Sequence, residues 1–403
     1  MNNWQTRKLG EICEKFKKEK APIGINPYIE IGNVDVRSKK IIFSDKGAVK
    51  GSVFAPENSI LISRVRPTRG AVVFLNKKIA VSSAFTIIKP TQSINPKLLF
   101  YFLAWNKKFF DYLGSKQKGT SYPSVRENEI LNFKIPLPKD KETQRKIVEV
   151  LDTILEAVEI QGKIIERTKE LKKSLMAELF KYGGPSFRKG RKLKKTEIGE
   201  IPENWQVVKL EKICEKIQYG LTTTSIKEDT GIRFLRITDI QEEKVNWFLV
   251  PYCKCSQRDL KKYELREEDI VIARIGATTG KSLFIKNPPK SVFASYLIRI
   301  RPKKLKFFPE FLSYYLQTNL YWQQINQLKG GRLKTGINLP ILQNLLLPLP
   351  PLPEQREIAE ILKTVDEKIE IEQKKKETYE ELFKTLLNKI MSQEIDVEKM
   401  QSC

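Results

Sequence analysis

A chain of 403 residues, 40% hydrophobic and 30% charged, is long enough to fold as two or three domains with cores of their own. Lys and Arg total 73 against 48 acids, a formal net charge of +25, which favours a polyanionic partner: nucleic acid or an anionic membrane surface. The chain has no His, which excludes Ser-His-Asp and Cys-His catalysis and every His-containing zinc site, and weakens the case for an enzyme. Five cysteines fit a reducing compartment. No apolar run approaches the ~20 residues that span a bilayer, and Met1–Trp4 opens no apolar signal region. A cytoplasmic protein with no membrane partner is expected.

The first segment opens with Trp4-Gln5-Thr6-Arg7-Lys8-Leu9 and Ile12-Cys13-Glu14-Lys15. Its β-branched and aromatic runs predict strands at Ile60–Ile62, Val72–Leu75 and Thr86–Ile88. A stretch rich in Phe, Tyr and Leu, opened by a proline, predicts one helix over Pro96–Tyr112. Pro136-Leu137-Pro138 stops the last strand. Apolar residues then recur at Ile147, Leu151, Ile154, Val158, Ile165, Leu175 and Leu179, the steps of three and four of a heptad seam. Gly183-Gly184-Pro185 ends that helix. Arg188–Lys195, with six Lys or Arg in eight residues, reads as part of a flexible basic linker.

The second half repeats the first in the same order, at an offset drifting from about 201 to about 213. Trp205-Gln206-Val207-Val208-Lys209-Leu210 and Ile213-Cys214-Glu215-Lys216 answer the opening. Strands are expected at Ile232–Ile237, Ile270–Ile275 and Leu297–Ile300, and one helix over Pro309–Gln324. Val81-Ser82-Ser83-Ala84-Phe85 is matched to Val292-Phe293-Ala294-Ser295-Tyr296. Pro348-Leu349-Pro350 and Gln355-Arg356-Glu357-Ile358 answer Pro136-Leu137-Pro138 and Gln144-Arg145-Lys146-Ile147. A second seam follows at Leu362, Val365, Ile369, Tyr379, Phe383, Leu386 and Ile390.

The expected fold is α+β: two repeated globular domains separated by two long helices that pack as an antiparallel coiled coil, with pseudo-twofold symmetry. Helices of roughly 40 residues would be about 60 Å long, and neither buries its seam alone. The expected boundaries are 1–138 and 200–350 for the globular domains, 139–182 and 351–392 for the helices, 183–199 for the linker and 393–403 for a tail.

Three local motifs suggest chemistry. Gly276-Ala277-Thr278-Thr279-Gly280-Lys281-Ser282 looks like a phosphate loop but has three residues between its glycines where that pattern needs four, so a turn is the better reading. Asn287-Pro288-Pro289-Lys290 has Lys where an adenine methyltransferase carries the aromatic residue that stacks on a flipped base, and reads as a surface turn. Cys253-Lys254-Cys255 has no second pair to complete a zinc shell, and Cys13 and Cys214 read as small core residues. No catalytic, cofactor or metal residue is assigned.

Taken together, the two copies, the Pro348-Leu349-Pro350-Pro351-Leu352-Pro353-Glu354-Gln355-Arg356-Glu357-Ile358 lead-in and the Gly199-Glu200-Ile201-Pro202-Glu203-Asn204-Trp205 opening resemble the specificity subunit of type I restriction–modification systems across nearly the whole chain. The first copy departs from the lead-in at Lys139–Thr143. The resemblance implies two target recognition domains, each reading one half of a bipartite sequence in double-stranded DNA. It implies helices that set the spacing of the halves and dock two methylation subunits, and restriction subunits that join them. S-adenosylmethionine, ATP and Mg would belong to those partners, with no cofactor in this chain.

Candidate DNA contacts are the basic, hydroxyl-bearing and Gly-containing loops. In the first copy they are Arg64, Arg66 and Arg69, and Lys116, Gln117, Lys118, Thr120, Ser121 and Tyr122. In the second they are Tyr219, Thr222, Thr223 and Thr224; Arg274, Thr278 and Lys281; and Arg332, Lys334 and Thr335. Arg and Lys neutralise phosphates, while Arg, Gln and Thr also read base edges. Arg64 and Arg274 directly follow strands, which also suits a structural role. The competing readings are a solitary DNA methyltransferase, opposed by the missing signatures, and a structural or RNA-binding scaffold, which would bind with salt sensitivity but without preference among duplex sequences.

Overall fold

Short runs of β-branched and aromatic residues, interrupted by turns, do form the strands of two similar modules. The computed structural model describes residues 4–241, 243–305, 307–328 and 336–395. The chain divides into two units, Met1–Lys163 with Gln373–Cys403, and Ile164–Glu372.

In the first unit, Trp4–Lys8 pairs antiparallel with Lys134–Pro138, so the chain's opening strand lies beside the strand that leads into the first long helix. Ser59–Ser63 is the centre of an antiparallel sheet between Val72–Leu75 and Phe85–Ile88. A smaller sheet sets Ile79–Val81 parallel to Tyr28–Ile29 and antiparallel to Val53–Ala55. The second unit repeats this plan. Gln206–Lys209 pairs with Leu346–Leu349. Ile270–Ala273 lies between Ser282–Phe284 and Leu297–Pro302, with Cys214–Tyr219 added at the edge. Arg233–Leu235 runs parallel to Ser291–Phe293.

The long helices span Lys141–Tyr182 and Leu352–Met391. In the first unit, Ile147, Val148 and Leu151 from the start of one helix share a core with Phe383, Leu387 and Ile390 from the end of the other. In the second, Met176, Leu179 and Phe180 share a core with Ile358, Ala359 and Leu362. The helices therefore run antiparallel. Aromatic residues dominate both joints: Phe383 packs on Trp105 at 4.9 Å and Phe180 on Phe311 at 5.0 Å between ring centroids.

The Gln of each lead-in has a structural task. Gln144 Nε2 donates to Pro138 O at 2.9 Å and to Ser93 O at 3.2 Å, while its Oε1 accepts from Asn95 N at 2.7 Å. Gln355 repeats the device, donating to Pro350 O at 2.8 Å and accepting from Phe308 N at 2.8 Å. A buried primary amide can satisfy an acceptor and a donor at once. It thus fastens the strand end, the long helix and the loop before the next helix to one another.

The structure corrects the sequence reading at three places. Each expected aromatic-rich helix is two helices: Pro96–Ala104 and Lys107–Lys116 in the first unit, Pro309–Tyr315 and Asn319–Leu328 in the second. Asn106 breaks the first by accepting from Phe109 N at 3.2 Å, and Thr318 Oγ1 accepts from Tyr321 N at 3.3 Å, the side-chain bond that starts a new helix. Residues 183–199 are not a flexible linker. Gly183, at φ +83°, closes the helix by donating to Leu179 O at 2.9 Å. Leu193–Thr196 then forms a hairpin with Gly199–Pro202, and Arg191 is buried against Glu354. The match between the copies also slips by one residue: Arg64 N donates to Ala84 O and Arg274 N to Tyr296 O, both at 3.0 Å. The counterpart of Tyr296 is therefore Ala84, not the buried Phe85.

Candidate nucleic-acid interface

In the first unit, the loop leaving the central strand Ser59–Ser63 is held at both ends. Arg64 donates from its guanidinium to Ser83 O, and its carbonyl accepts from Val125 N at 2.9 Å. Arg66 takes a left-handed backbone, φ +47°, and its N–H donates to Pro123 O at 2.7 Å. Its guanidinium lies 5.2 Å from the centre of the Tyr122 ring and donates to Ser121 O at 3.4 Å. The loop opposite is closed by Lys118 and Ser124, which exchange backbone hydrogen bonds of 2.8 and 2.9 Å. Two clusters about fifty residues apart in sequence thus form one surface. Thr68, Arg69, Lys116, Lys118, Thr120 and Ser121 are exposed on it, and Tyr122 is 74% exposed. Gln117 is half-buried, with its Oε1 enclosed.

In the second unit, Arg274 occupies the place of Arg64. Its guanidinium lies over the Tyr219 ring at 4.4 Å and donates to Ser295 O at 3.4 Å. Tyr219 is itself fixed, its hydroxyl accepting from Leu339 N at 3.1 Å. Leu221 N donates to Phe293 O at 2.8 Å and Ser295 N to Leu221 O at 3.0 Å, which brings the loop bearing Thr222, Thr223 and Thr224 alongside. Those three threonines and Lys281 are exposed, and Thr278 is half-buried. Arg332, Lys334 and Thr335 lie outside the described residues. Just beyond them, Ile337 N donates to Arg274 O at 2.8 Å.

Arg64 and Arg274 are therefore braces beneath the loops, which favours the structural side of their sequence reading. Their counterpart roles are visible only in the fold, because the carbonyls they hold come from turns about twenty residues away. Sequence reasoning missed Tyr296. It is 57% exposed, next to the carbonyl that Arg274 holds. The one-residue slip had matched it to Phe85, which is buried.

Two of the doubtful motifs are turns. Residues 276–280 join the antiparallel strands Ile270–Ala273 and Ser282–Phe284, whereas a phosphate loop must lead from a strand into a helix. Asn287 sits in an exposed bend at φ +45°, its N–H donating to Glu267 at 2.6 Å. Burial pushes the Cys13 and Cys214 thiols up to about 12 and Cys253 to about 11, so all three stay protonated. Among the described residues, no group of His, Cys, Asp and Glu could hold a metal, and no helix is long and apolar enough to cross a membrane. Some of the positive charge is also spent inside the fold. Arg301 makes two 2.7 Å bonds to the buried Asp269, and burial lowers the neighbouring Arg299 to about 10.

The architecture is thus a duplicated α+β module with exposed basic loops, joined by antiparallel helices. The chain matches the family described as type I restriction modification DNA specificity domain over residues 1–170 and 202–381. It belongs to this family of specificity subunits, which recognise DNA sequence and carry no catalysis of their own. It is 30% identical to the type I restriction enzyme MjaVIII specificity subunit of Methanocaldococcus jannaschii, covering 99% of this chain and 94% of that one. It is 32% identical to the putative MjaX specificity subunit of the same organism, over 77% of this chain and 71% of that one. In fold it resembles a chain solved in a study of type I R-M system assembly, with a TM-score of 0.60, 21% identity and coverage of 96% and 97%. It also resembles the S subunit from M. genitalium, with a TM-score of 0.55, 14% identity and coverage of 97% of both chains.

Proposed function

We propose that this specificity subunit reads a bipartite, asymmetric sequence in double-stranded DNA, one half with each globular domain, and that the long helices fix the gap between the halves. The helices also dock two methylation subunits, and restriction subunits join the complex in the cytoplasm. S-adenosylmethionine, ATP and Mg belong to those partners. The globular domains are residues 1–138 and 200–350, and the readers are the exposed loop residues named above, with Arg64 and Arg274 bracing the loops from beneath.

The observation that carries this reading is the joining of the 66–70 and 116–124 loops into one exposed basic surface. Exposed Arg and Lys supply phosphate contacts, and Thr, Ser and Gln beside them supply partners for base edges. The divergence between the units supports two different half-sites: the first offers Arg69, Lys118 and Tyr122, the second three threonines with Lys281 and Tyr296.

Arg69→Ala tests the first surface. The side chain is exposed, so the fold should be unaffected. Binding of the complete complex to its duplex target is expected to weaken by about 1–3 kcal/mol. If Arg69 meets a phosphate, the salt slope also falls by about one. Unchanged affinity and an unchanged salt slope, measured together by titration at several salt concentrations, would remove this loop from the interface.

A further inference from the structure

The two units support equivalent loops in different ways. Gly70 and Gly280 occupy the same place, each ending the loop that follows the central strand, at φ +79° and +96°. In the second unit, Gly280 O accepts from the hydroxyl of the fully buried Tyr321 at 2.7 Å. The counterpart of Tyr321 is Phe109, equally buried, at the same step after a capping residue and likewise followed by a large aromatic residue, Phe110. Phe109 has no hydroxyl to offer. The Gly70 carbonyl accepts from the Val72 N–H at 2.9 Å and, as its one side-chain donor, from Lys39 Nζ at 2.7 Å.

Lys39 is only 8% exposed. Its ammonium faces the Phe110 ring at 5.4 Å and the Trp105 ring at 6.0 Å. Its backbone is left-handed, φ +58°, in the turn where Lys39 N donates to Asp35 O at 2.8 Å. Burial pulls its pKa down to about 8, an environment that is costly for a lysine. The next residue, Lys40, reaches Glu159 of the first long helix at 2.6 Å. A buried lysine with one backbone acceptor and aromatic walls is a placed strut, not a solvated charge.

We infer that Lys39 is the positioning residue for the first unit's recognition loop, holding residues 66–70 in their reading shape as the Tyr321 hydroxyl holds residues 276–280. This rests on the reading that the 66–70 loop meets DNA. The neighbouring Thr68 and Arg69 are presented outward only while the Gly70 carbonyl is held inward. A half-site that depends on Lys39 and another that depends on Tyr321 make the two halves independently breakable.

The test uses the full chain assembled with its methylation subunits, and duplexes carrying its target or single-base changes in either half. Lys39→Met removes the ammonium donor and leaves the Gly70 carbonyl with the Val72 N–H alone, at 2.9 Å. It is expected to weaken target binding about tenfold and to erase discrimination in one half only, the other half staying as selective as in the parent. Adding Phe109→Tyr to Lys39→Met transplants the second unit's solution and should restore that discrimination. Equal loss in both halves would mean general destabilisation and overturn the inference, as would full discrimination in Lys39→Met. If Lys39→Met does not fold, as judged by thermal melting, the double variant decides: restored folding without restored discrimination overturns the inference. Arg69→Ala separates the two levels. If Arg69→Ala weakens binding and Lys39→Met does not, the positioning role fails alone; if neither has an effect, the reading of the loop fails with it.

Discussion

Replacing Glu354 by Ala is expected to be among the most damaging single changes in the chain, destabilising the second unit by about 3–5 kcal/mol. The Glu354 carboxylate is fully buried at the start of the second long helix. It pairs with Arg191, whose second guanidinium nitrogen lies 3.1 Å from Oε2, and accepts from Trp205 Nε1 at 3.0 Å and from Gly184 N at 3.1 Å. Removing it leaves a buried guanidinium, an indole N–H and a backbone N–H without their acceptor. The same carboxylate ties the end of the first long helix, the 193–202 hairpin and the opening tryptophan of the second module into one joint. The first copy offers an internal control. Thr143 stands at the matching position, donating to Asp140 at 2.8 Å and accepting nothing from a buried cation. Thr143→Ala should cost about 1 kcal/mol. Chemical denaturation of the two variants measures the contrast; equal small losses would show that the Glu354 joint does not stabilise the unit.

The second large effect is expected in function rather than stability. Inserting seven residues into each long helix, near Lys163 in the first and near Glu372 in the second, keeps the heptad seam in register. It lengthens each helix by about 10 Å, equivalent to about three base pairs of duplex at 3.4 Å per step. Under the proposed function the two half-sites keep their sequences, and the unspecified gap between them grows by about three base pairs. Sequencing the modified DNA reads both quantities at once. An unchanged gap in a complex that still methylates would refute the idea that the helices measure the spacing.

Much of this architecture was legible because its signals are local. The run Ile60–Ile62 is β-branched and apolar and became a central strand, and the heptad residues Leu151, Leu179, Leu362 and Phe383 lie in the two cores. Order of motifs was enough to reveal the duplication. What stayed hidden depends on distant partners. Arg188–Lys195 looks like a solvated charge run until Glu354, 163 residues beyond Arg191, neutralises that arginine. Asn106 is an ordinary polar residue within an aromatic stretch until its side chain caps a new helix. The slip that concealed Tyr296 arose because each copy has a Val followed four residues later by an aromatic residue, Val81 with Phe85 and Val292 with Tyr296, and the backbone bonds of Arg64 and Arg274 fix the register one step away. The basic loops were recognisable by composition and recurrence. Which of their arginines brace the loop, and which extend from it, was decided by acceptors such as Ser83 O and Ser295 O. Lys39 gave no signal at all, since its acceptor is a glycine carbonyl 31 residues away.

Whether this chain directs modification to a two-part sequence is decided by mapping N6-methyladenine in DNA from cells expressing it together with its methylation subunits. One new methylated motif is expected, made of two defined halves separated by a fixed, unspecified gap. The absence of any new modification, despite a verified complex, would contradict it and leave a scaffold or RNA-binding role in its place.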